Sequence, residues 1–341
     1  MSFKRGIMSH THILGISDHG LIAGDTDLFF PKELVSIVAT QARLAVIDTE
    51  AQVWHKEYAS TADEFVKLPL PCCQSLSIDG PYFVALDFEG FVWVSGDDGF
   101  LSFGQTLSKI EGLPCIKSIY VNASLSTVFC IDKEGGLWIY GGCWYDFTHL
   151  KPYYLSQLPP IINVIVCHDI LWLLDVYREV WAYDTHCHTF NCATTTNPFI
   201  KITNLPTITS LCSNYETCVF LDFNGDIWQL NLTHEIISSL RPHYRYRSRG
   251  GRRHNHHHAK LSFNDISFIK ITNIPQIKSI SSVPCNAHNQ NSILLLDING
   301  VVWCESEHIT YVFINNINII TKLTNSLSYN CHISRVKSAR K

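Results

Sequence analysis

A seven-residue segment, Asp-x-x-Gly-x-Val-Trp, recurs six times along this chain, each copy behind an apolar run of four or five residues. The copies run from Asp48 to Trp54, Asp87 to Trp93, Asp132 to Trp138, Asp175 to Trp181, Asp222 to Trp228 and Asp297 to Trp303, so six of the eight tryptophans share one motif position. Successive motif tryptophans are 39, 45, 43, 47 and then 75 residues apart. A period of forty-odd residues means one structural unit used repeatedly, as in a solenoid, a propeller or an array.

The unit is plainest in Thr127-Val-Phe-Cys-Ile-Asp-Lys-Glu-Gly-Gly-Leu-Trp-Ile-Tyr140. An apolar run, a short polar interruption with glycine and a second apolar run make a β-hairpin, because β-branched and aromatic residues suit strands and glycine supplies the positive φ of a tight turn. Gly90, Gly135, Gly225 and Gly300 hold the turn position, while Ala51 and Arg178 replace glycine in two copies. Those two hairpins are expected to be strained or differently turned. The repeated aspartates Asp48, Asp87, Asp132, Asp175, Asp222 and Asp297 are read as turn formers whose carboxylates accept backbone hydrogen bonds.

Upstream lies a weaker pattern of Ile-x-x-Ile type, at Val35 to Val38, Ile116 to Ile119, Ile162 to Ile165, Ile208 to Leu211 and Ile277 to Ile280. It is read as the innermost strand of the unit. With one more strand after the Trp, each repeat has four short strands, which is a propeller blade; the runs are too short and too β-branched for paired helices. A four-stranded blade must pack its faces on its neighbours, and the motif tryptophans Trp54, Trp93, Trp138, Trp181, Trp228 and Trp303 are assigned to that core. Burying one is worth roughly 2 to 3 kcal/mol.

Both ends of the chain hold fragments of the repeat. Ser17-Asp-His-Gly-Leu-Ile-Ala23 matches the motif with Ser17 in place of Asp and Ala23 in place of Trp, and Phe313 to Leu323 resembles the blade openings Phe199 to Leu211 and Phe268 to Ile280. The expected fold is therefore all-β: a seven-bladed β-propeller of four-stranded blades over residues 1–341, closed by a composite blade from both termini that leaves no open sheet edge.

The motif hairpin with the Ile-x-x-Ile strand before it resembles the repeat of the regulator of chromosome condensation family. The copy from Phe83 to Gly96, followed by a Gly99 to Gly104 stretch like that family's glycine-rich loop, carries the resemblance best. No Trp-Asp pair of the WD-repeat kind occurs, and kelch repeats fit less well in period. The glycines after the Trp are lost in Trp181-Ala-Tyr-Asp, Trp228-Gln-Leu-Asn and Trp303-Cys-Glu-Ser, which marks a divergent member. The resemblance implies a β-propeller that serves guanine-nucleotide exchange on a Ran-type GTPase, chromatin contact or protein recognition. It carries over no exchange residue, because those lie outside the repeat motif.

The chain has 341 residues, 46% of them hydrophobic, enough for one large β domain and little else. Its thirteen cysteines are odd in number, some fall within apolar runs, and the opening Met1-Ser-Phe-Lys-Arg-Gly lacks an apolar signal core. Free thiols in a reducing intracellular compartment, cytoplasmic or nuclear, are expected, with the sequons at Asn122 and Asn231 unused. The longest apolar stretch, Ile161 to Leu174, is broken by His168 and Asp169 and is too short to span a bilayer.

One segment stands outside the repeat. The long gap before Trp303 contains residues 241–260, with Arg241, Arg245, Arg247, Arg249, Arg252, Arg253, Lys260 and no acid. Without these seven basic groups, the rest of the chain has 19 basic against 30 acidic residues, a net charge of −11. Five histidines, at positions 243, 254, 256, 257 and 258, add charge as pH falls toward about 6.5. Such a composition builds no core and reads as a basic insertion in an acidic body. Its Arg/Tyr alternation suits phosphates and stacked bases, or an acidic protein surface; a solvated insertion with no ligand is the plainer reading. The His-x-His-His-His run and His186-Cys-His-x-x-x-Cys192 lack the ligand spacing of a structural zinc site, so no metal or cofactor is assigned.

No nucleophile elbow, phosphate-binding loop, His-Glu-x-x-His or paired Cys-x-x-Cys occurs. A residue that recurs at every hairpin entry serves the turn rather than catalysis. The sequence therefore reads as a non-enzymatic propeller scaffold for macromolecular recognition, mainly of a protein partner, and acting as a monomer. The alternatives are exchange on a Ran-type GTPase and nucleic-acid association through residues 241–260.

Overall fold

The computed structural model describes residues 14–16, 22–24, 32–39, 43–57, 65–97, 102–141, 151–168, 170–185, 199–213, 217–231, 266–285, 290–299, 302–305, 318–320 and 333–335. Among them every regular element is a β-strand. The hairpin is built around one carboxylate. Asp132 Oδ1 accepts the backbone N–H groups of Glu134 at 3.1 Å and Gly136 at 2.6 Å, and Oδ2 accepts the indole Nε1–H of Trp138 at 2.8 Å. Asp48, Asp87, Asp175 and Asp222 repeat the arrangement, with indole contacts between 2.9 and 3.0 Å. At the sixth copy, Asp297 Oδ1 accepts Asn299 N–H at 2.8 Å.

The six aspartates are buried, none more than 7% exposed. A carboxylate taken out of water is tolerable only when its lone pairs are filled, and here the turn and the indole fill them. At Asp48 burial pushes the pKa up, but Gln52 N–H, the Trp54 indole and the Lys32 ammonium outweigh it and hold the group below its ordinary value. That contact therefore stabilises the fold above the ordinary carboxylate range, and the contribution is lost as pH falls through the lowered pKa.

The fourth motif residue closes the turn. Gly90, Gly135 and Gly225 have φ of 90°, 88° and 80°, and Ala51 and Arg178 take 62° and 67° at the same place. Both donate their N–H to the motif Asp carbonyl as the glycines do, so the turn is the same and only the strain expected of a side chain in this region remains. The carbonyl of this residue also accepts the N–H that opens the inner strand of the next sheet, at 2.7 to 3.3 Å, in Ala51–Cys73, Gly90–Ile116, Gly135–Ile161, Arg178–Ile208 and Gly225–Ile277. Each turn thus ties its hairpin to the following unit.

Six sheets have four antiparallel strands. The first is β3 (Leu34–Ala39), β4 (Arg43–Asp48), β5 (Val53–Glu57) and β6 (Val66–Lys67). The second holds β7 (Cys73–Asp79), β8 (Tyr82–Asp87), β9 (Val92–Asp97) and β10 (Ser102–Lys109), and the third β11 (Ile116–Asn122), β12 (Thr127–Asp132), β13 (Leu137–Gly141) and β14 (Tyr153–Tyr154). In the fourth are β15 (Ile161–Cys167), β16 (Ile170–Asp175), β17 (Val180–Asp184) and β18 (Ile200–Ile202), and in the fifth β19 (Ile208–Ser213), β20 (Cys218–Asp222), β21 (Ile227–Asn231) and β22 (Ser267–Lys270). The sixth is β23 (Ile277–Cys285), β24 (Gln290–Asp297), β25 (Val302–Glu305) and β27 (Ile333–Arg335). A further sheet joins both ends of the chain: β26 (Asn318–Ile320) pairs with β1 (Leu14–Ile16), and β1 with β2 (Ile22–Gly24). It lies between β23 of the sixth sheet and β3 of the first, so the sheets follow one another in a closed ring.

Two details depart from expectation. The terminal sheet has three strands among the described residues rather than four, and the outer strand of the sixth sheet is β27, which comes after β26 in the chain instead of directly after β25. The C-terminal segment first closes the ring and then returns to cover its neighbour's edge.

The Ile-x-x-Ile spacing has a geometric cause. Sides alternate along a strand, so residues three apart face opposite ways. In all six four-stranded sheets the register shifts between the first and third residues of the inner strand, as in Ile116↔Asp132 followed by Ser118↔Ile131. This β-bulge adds one residue and returns position four to the face of position one. It also corrects two assignments: the pairs are Leu34 with Ile37 and Ile161 with Val164, not those starting at Val35 and Ile162, and Val35 is the bulge residue and 62% exposed. The second sheet uses Cys73 and Leu76, a pair too mixed in character to recognise by eye.

The second strands β8, β12 and β16 are buried along their whole length, because each sheet is covered on both faces. That explains their unbroken apolar runs. Trp93, Trp138, Trp181 and Trp228 lie where expected, at the junctions of adjacent sheets, but they and Trp54 are half-buried, since the third strand lies toward the rim. The side chain of Trp303 lies outside the described residues. Deeper filling comes from residues off the motif, notably Trp172, which is fully buried and meets Phe220 edge-on at a centroid distance of 5.4 Å.

Two outcomes follow. Trp138→Phe leaves the buried Asp132 Oδ2 without its donor and is expected to cost about 1 to 3 kcal/mol in chemical denaturation. A double-mutant cycle with Asp132→Ala should show coupling of at least about 0.5 kcal/mol, whereas additive losses would mean that the two residues act independently. Removing residues 1–24 takes away β1 and β2 and should sharply lower the melting temperature; an unchanged value would exclude closure by the terminal sheet.

Candidate functional site

The strand registers sort the connections onto two faces. Ile116, Asp132 and Leu137 stand at one end of their sheet and Asn122, Thr127 and Gly141 at the other. All motif hairpins therefore turn on one face, together with the short links from each outer strand to the next inner strand, such as Tyr154 to Ile161. The links from third to outer strand leave from the opposite face; the longer ones run from Glu57 to Val66, Gly141 to Tyr153, Asp184 to Ile200 and Asn231 to Ser267, and in the sixth sheet from Glu305 to Ile333 by way of β26.

That opposite face rests on a rigid base. Ser77 Oγ accepts Val121 N–H at 3.0 Å and Asp79 Oδ2 accepts Ala123 N–H at 2.7 Å, linking the second and third sheets, while Ser213 Oγ donates to Val166 O at 3.0 Å between the fifth and fourth. Burial pushes the Asp79 pKa above its ordinary value, against the backbone N–H groups of Ala123 and Gly80, which lower it. Asn122 is also buried, and its Oδ1 accepts Ser124 Oγ and Leu125 N–H, so the first sequon is part of a packed turn.

Arg241, Arg245, Arg247, Arg249, Arg252 and Arg253 lie outside the described residues, but the root of their segment is defined. Asn231 pairs with Ser267, and Asn231 Nδ2 donates to Ser267 Oγ at 3.1 Å. The connection 232–265 holds all six of these arginines and Lys260, whereas 58–64, 98–101, 142–150 and 186–198 contain Asp63, Glu64, Asp98 and Asp146 and no Lys or Arg. The third-to-outer connections are thus acidic or neutral except for one strongly basic member. The His186 to Cys192 cluster lies outside the described residues as well.

The seven cysteines whose side chains are described are free thiols. Burial pushes Cys73 up to about 12 and raises Cys130, and burial together with contact to Cys167 raises Cys218. These thiols stay protonated and behave as small core residues. Sequence reasoning missed Asp79, which looks like any strand-end acid.

No family model and no curated sequence relative matches this chain. Solved structures do. Yeast RCC1 (Prp20) bound to Kap60 superposes with a TM-score of 0.57 at 12% identity, covering 87% of this chain and 79% of that one. The Saccharomyces cerevisiae Prp20p structure, described with its binding to Gsp1p and histones, gives 0.55 at 12%, covering 88% and 81%. Human WBSCR16 gives 0.57 at 10%, covering 87% and 88%. The fold is that of the RCC1-type β-propeller. In this RCC1-type propeller the repeat residues are accounted for by turns and packing, so the face with the long connections is the candidate recognition site.

Asp79 offers a check on the base of that face. Its raised pKa means that the native state holds a proton that the unfolded chain has released, so stability is lost as pH rises from the ordinary carboxylate value through the raised one. Asp79→Asn keeps an acceptor for Ala123 and should raise the melting temperature at neutral pH, with the gain shrinking as pH falls through the raised pKa and gone below about 4. A gain that is independent of pH would exclude the charge as its cause.

Proposed function

We propose that this RCC1-type propeller is a non-enzymatic recognition scaffold, acting as a single copy, whose long-connection face binds a protein partner. The observation that carries the reading is the gathering of the longest repeat-breaking connections on one face of a ring whose inner strands are tied together by hydrogen bonds. Variable segments on a rigid frame are how such folds recognise partners. The free, largely inert thiols fit a reducing intracellular compartment.

Within that face the basic segment 241–260 is assigned the specific contacts, through Arg241, Arg245, Arg247, Arg249, Arg252 and Arg253 against an acidic partner surface. Deleting residues 241–258 is expected to abolish capture of the partner in an affinity pull-down while leaving the melting temperature unchanged. Binding of RNA and DNA measured at two salt concentrations distinguishes the nucleic-acid alternative, which requires a steep loss of affinity with salt and loss on deletion. Capture that survives the deletion would remove the segment from the reading.

A second reading, nucleotide exchange on a Ran-type GTPase, is supported by the similarity to Prp20p, a protein described as binding Gsp1p. It requires faster release of labelled GDP from such a GTPase when this protein is added, and an unchanged release rate leaves recognition alone.

A further inference from the structure

Two cysteines meet at the junction of the fourth and fifth sheets. Cys167, the last residue of β15, and Cys218, the first of β20, are 51 positions apart in the chain, and their thiols are hydrogen-bonded to each other. Both are buried in one core cluster with Ile165, Ile170, Trp172 and Phe220. The backbones beside them are held together as well. Cys218 pairs with Ser213 in the fifth sheet, and Ser213 Oγ donates to the carbonyl of Val166, the neighbour of Cys167, at 3.0 Å.

The repeat does not call for a thiol at this place. Four residues before the motif Asp, where the fifth sheet has Cys218, the other five four-stranded sheets carry Leu44, Phe83, Val128, Leu171 and Ile293, all buried. The one sheet that departs from a large hydrophobic residue here sets its thiol against the thiol of the sheet before it. Position also decides which cysteine is the partner. Cys212 lies near Cys218 too, but it precedes Ser213 along β19, so its side chain turns to the other side of the sheet and packs with Ile227, Ile277 and Leu295 at the junction with the sixth.

We propose that Cys167 and Cys218 form a reversible disulfide that clasps the fourth sheet to the fifth when the protein meets a hydroperoxide. One thiol takes an oxygen atom from hydrogen peroxide, so that the O–O bond breaks, one water leaves and a sulfenic acid forms. The neighbouring sulfur then displaces that oxygen as a second water, and the S–S bond closes to about 2 Å. Two thiols thereby lose two electrons and two protons, and one peroxide becomes two waters. Burial raises the Cys218 pKa, so the reactive thiolate is scarce, the step is slow, and a reducing compartment keeps the pair as thiols until peroxide accumulates. Cys167 stands level with Ile170 and Asp184, where the connection to Ile200 leaves, and the connection from Asn231 to Ser267 leaves the same end of the fifth sheet. The clasp therefore fixes the spacing between the roots of these two connections, whether or not residues 241–260 bind a partner.

The test treats the full-length protein with hydrogen peroxide, alkylates the remaining thiols and digests it without reductant for mass spectrometry. A peptide linking Cys167 to Cys218 is expected, and a dithiol reductant should remove it. The oxidised protein should melt several degrees above the reduced one, because bridging a loop of this length restricts the unfolded chain. Cys167→Ala and Cys218→Ala should abolish the rise and Cys212→Ala should retain it, each variant being compared with its own reduced form so that any loss from the substitution cancels. Oxidation of the exposed Cys72 shows that the dose of peroxide is sufficient. No linked peptide at that dose, a link from Cys218 to Cys212 instead, or a linked protein that melts at the reduced temperature would overturn the proposal.

Discussion

The structure depends on a buried aspartate that is satisfied from three directions. Two backbone N–H groups shape the turn and one indole N–H reaches back from the strand that follows, so the carboxylate fixes both the reversal and the position of the Trp. An uncompensated carboxylate at this depth would be strongly destabilising, and the hairpin can only be buried if all three donors arrive together. The turn residue then passes the constraint on, because its carbonyl accepts the first N–H of the next inner strand. One local motif thereby sets the turn, the side-chain packing and the junction to the next sheet.

A ring built from such units has two unlike faces. The motif keeps the hairpin face short and regular, since its turns are held by their own hydrogen bonds and its links by the neighbouring turn. The other ends of the strands are under no such control, and there the chain has room for connections of any length. This asymmetry explains why the basic segment, the acidic connections and the departures from the repeat fall together.

Most of the architecture could be read from residue order. Period, turn glycines and strand composition indicate antiparallel blades, and the terminal fragments indicate how the ring closes. The reading failed where one residue changes the face of a strand. A bulge inside the inner strand makes a spacing of three behave like a spacing of two, and with several apolar residues in a row the sequence offers two adjacent choices; Leu34 against Val35 and Ile161 against Ile162 are separated only by pairing. The site was less legible than the fold, because no motif marks a recognition surface and the two faces exist only once strand directions are paired.

The sequence alone determined that the repeat is a β-hairpin unit, that Asp48, Asp87, Asp132, Asp175, Asp222 and Asp297 serve turns, and that residues 241–260 stand apart in charge. These follow from local chemistry: turn conformations, side-chain periodicity and composition act within a few residues. Tertiary structure decided what depends on distant partners. It placed the indoles of Trp54, Trp93, Trp138, Trp181 and Trp228 each on the carboxylate six residues before it, left these tryptophans at the rim rather than the centre, and brought β26 beside β1 and β27 beside β25. It also set the long connections on one face and the motif hairpins on the other, because which end of a strand faces which way is fixed only when the strands are paired.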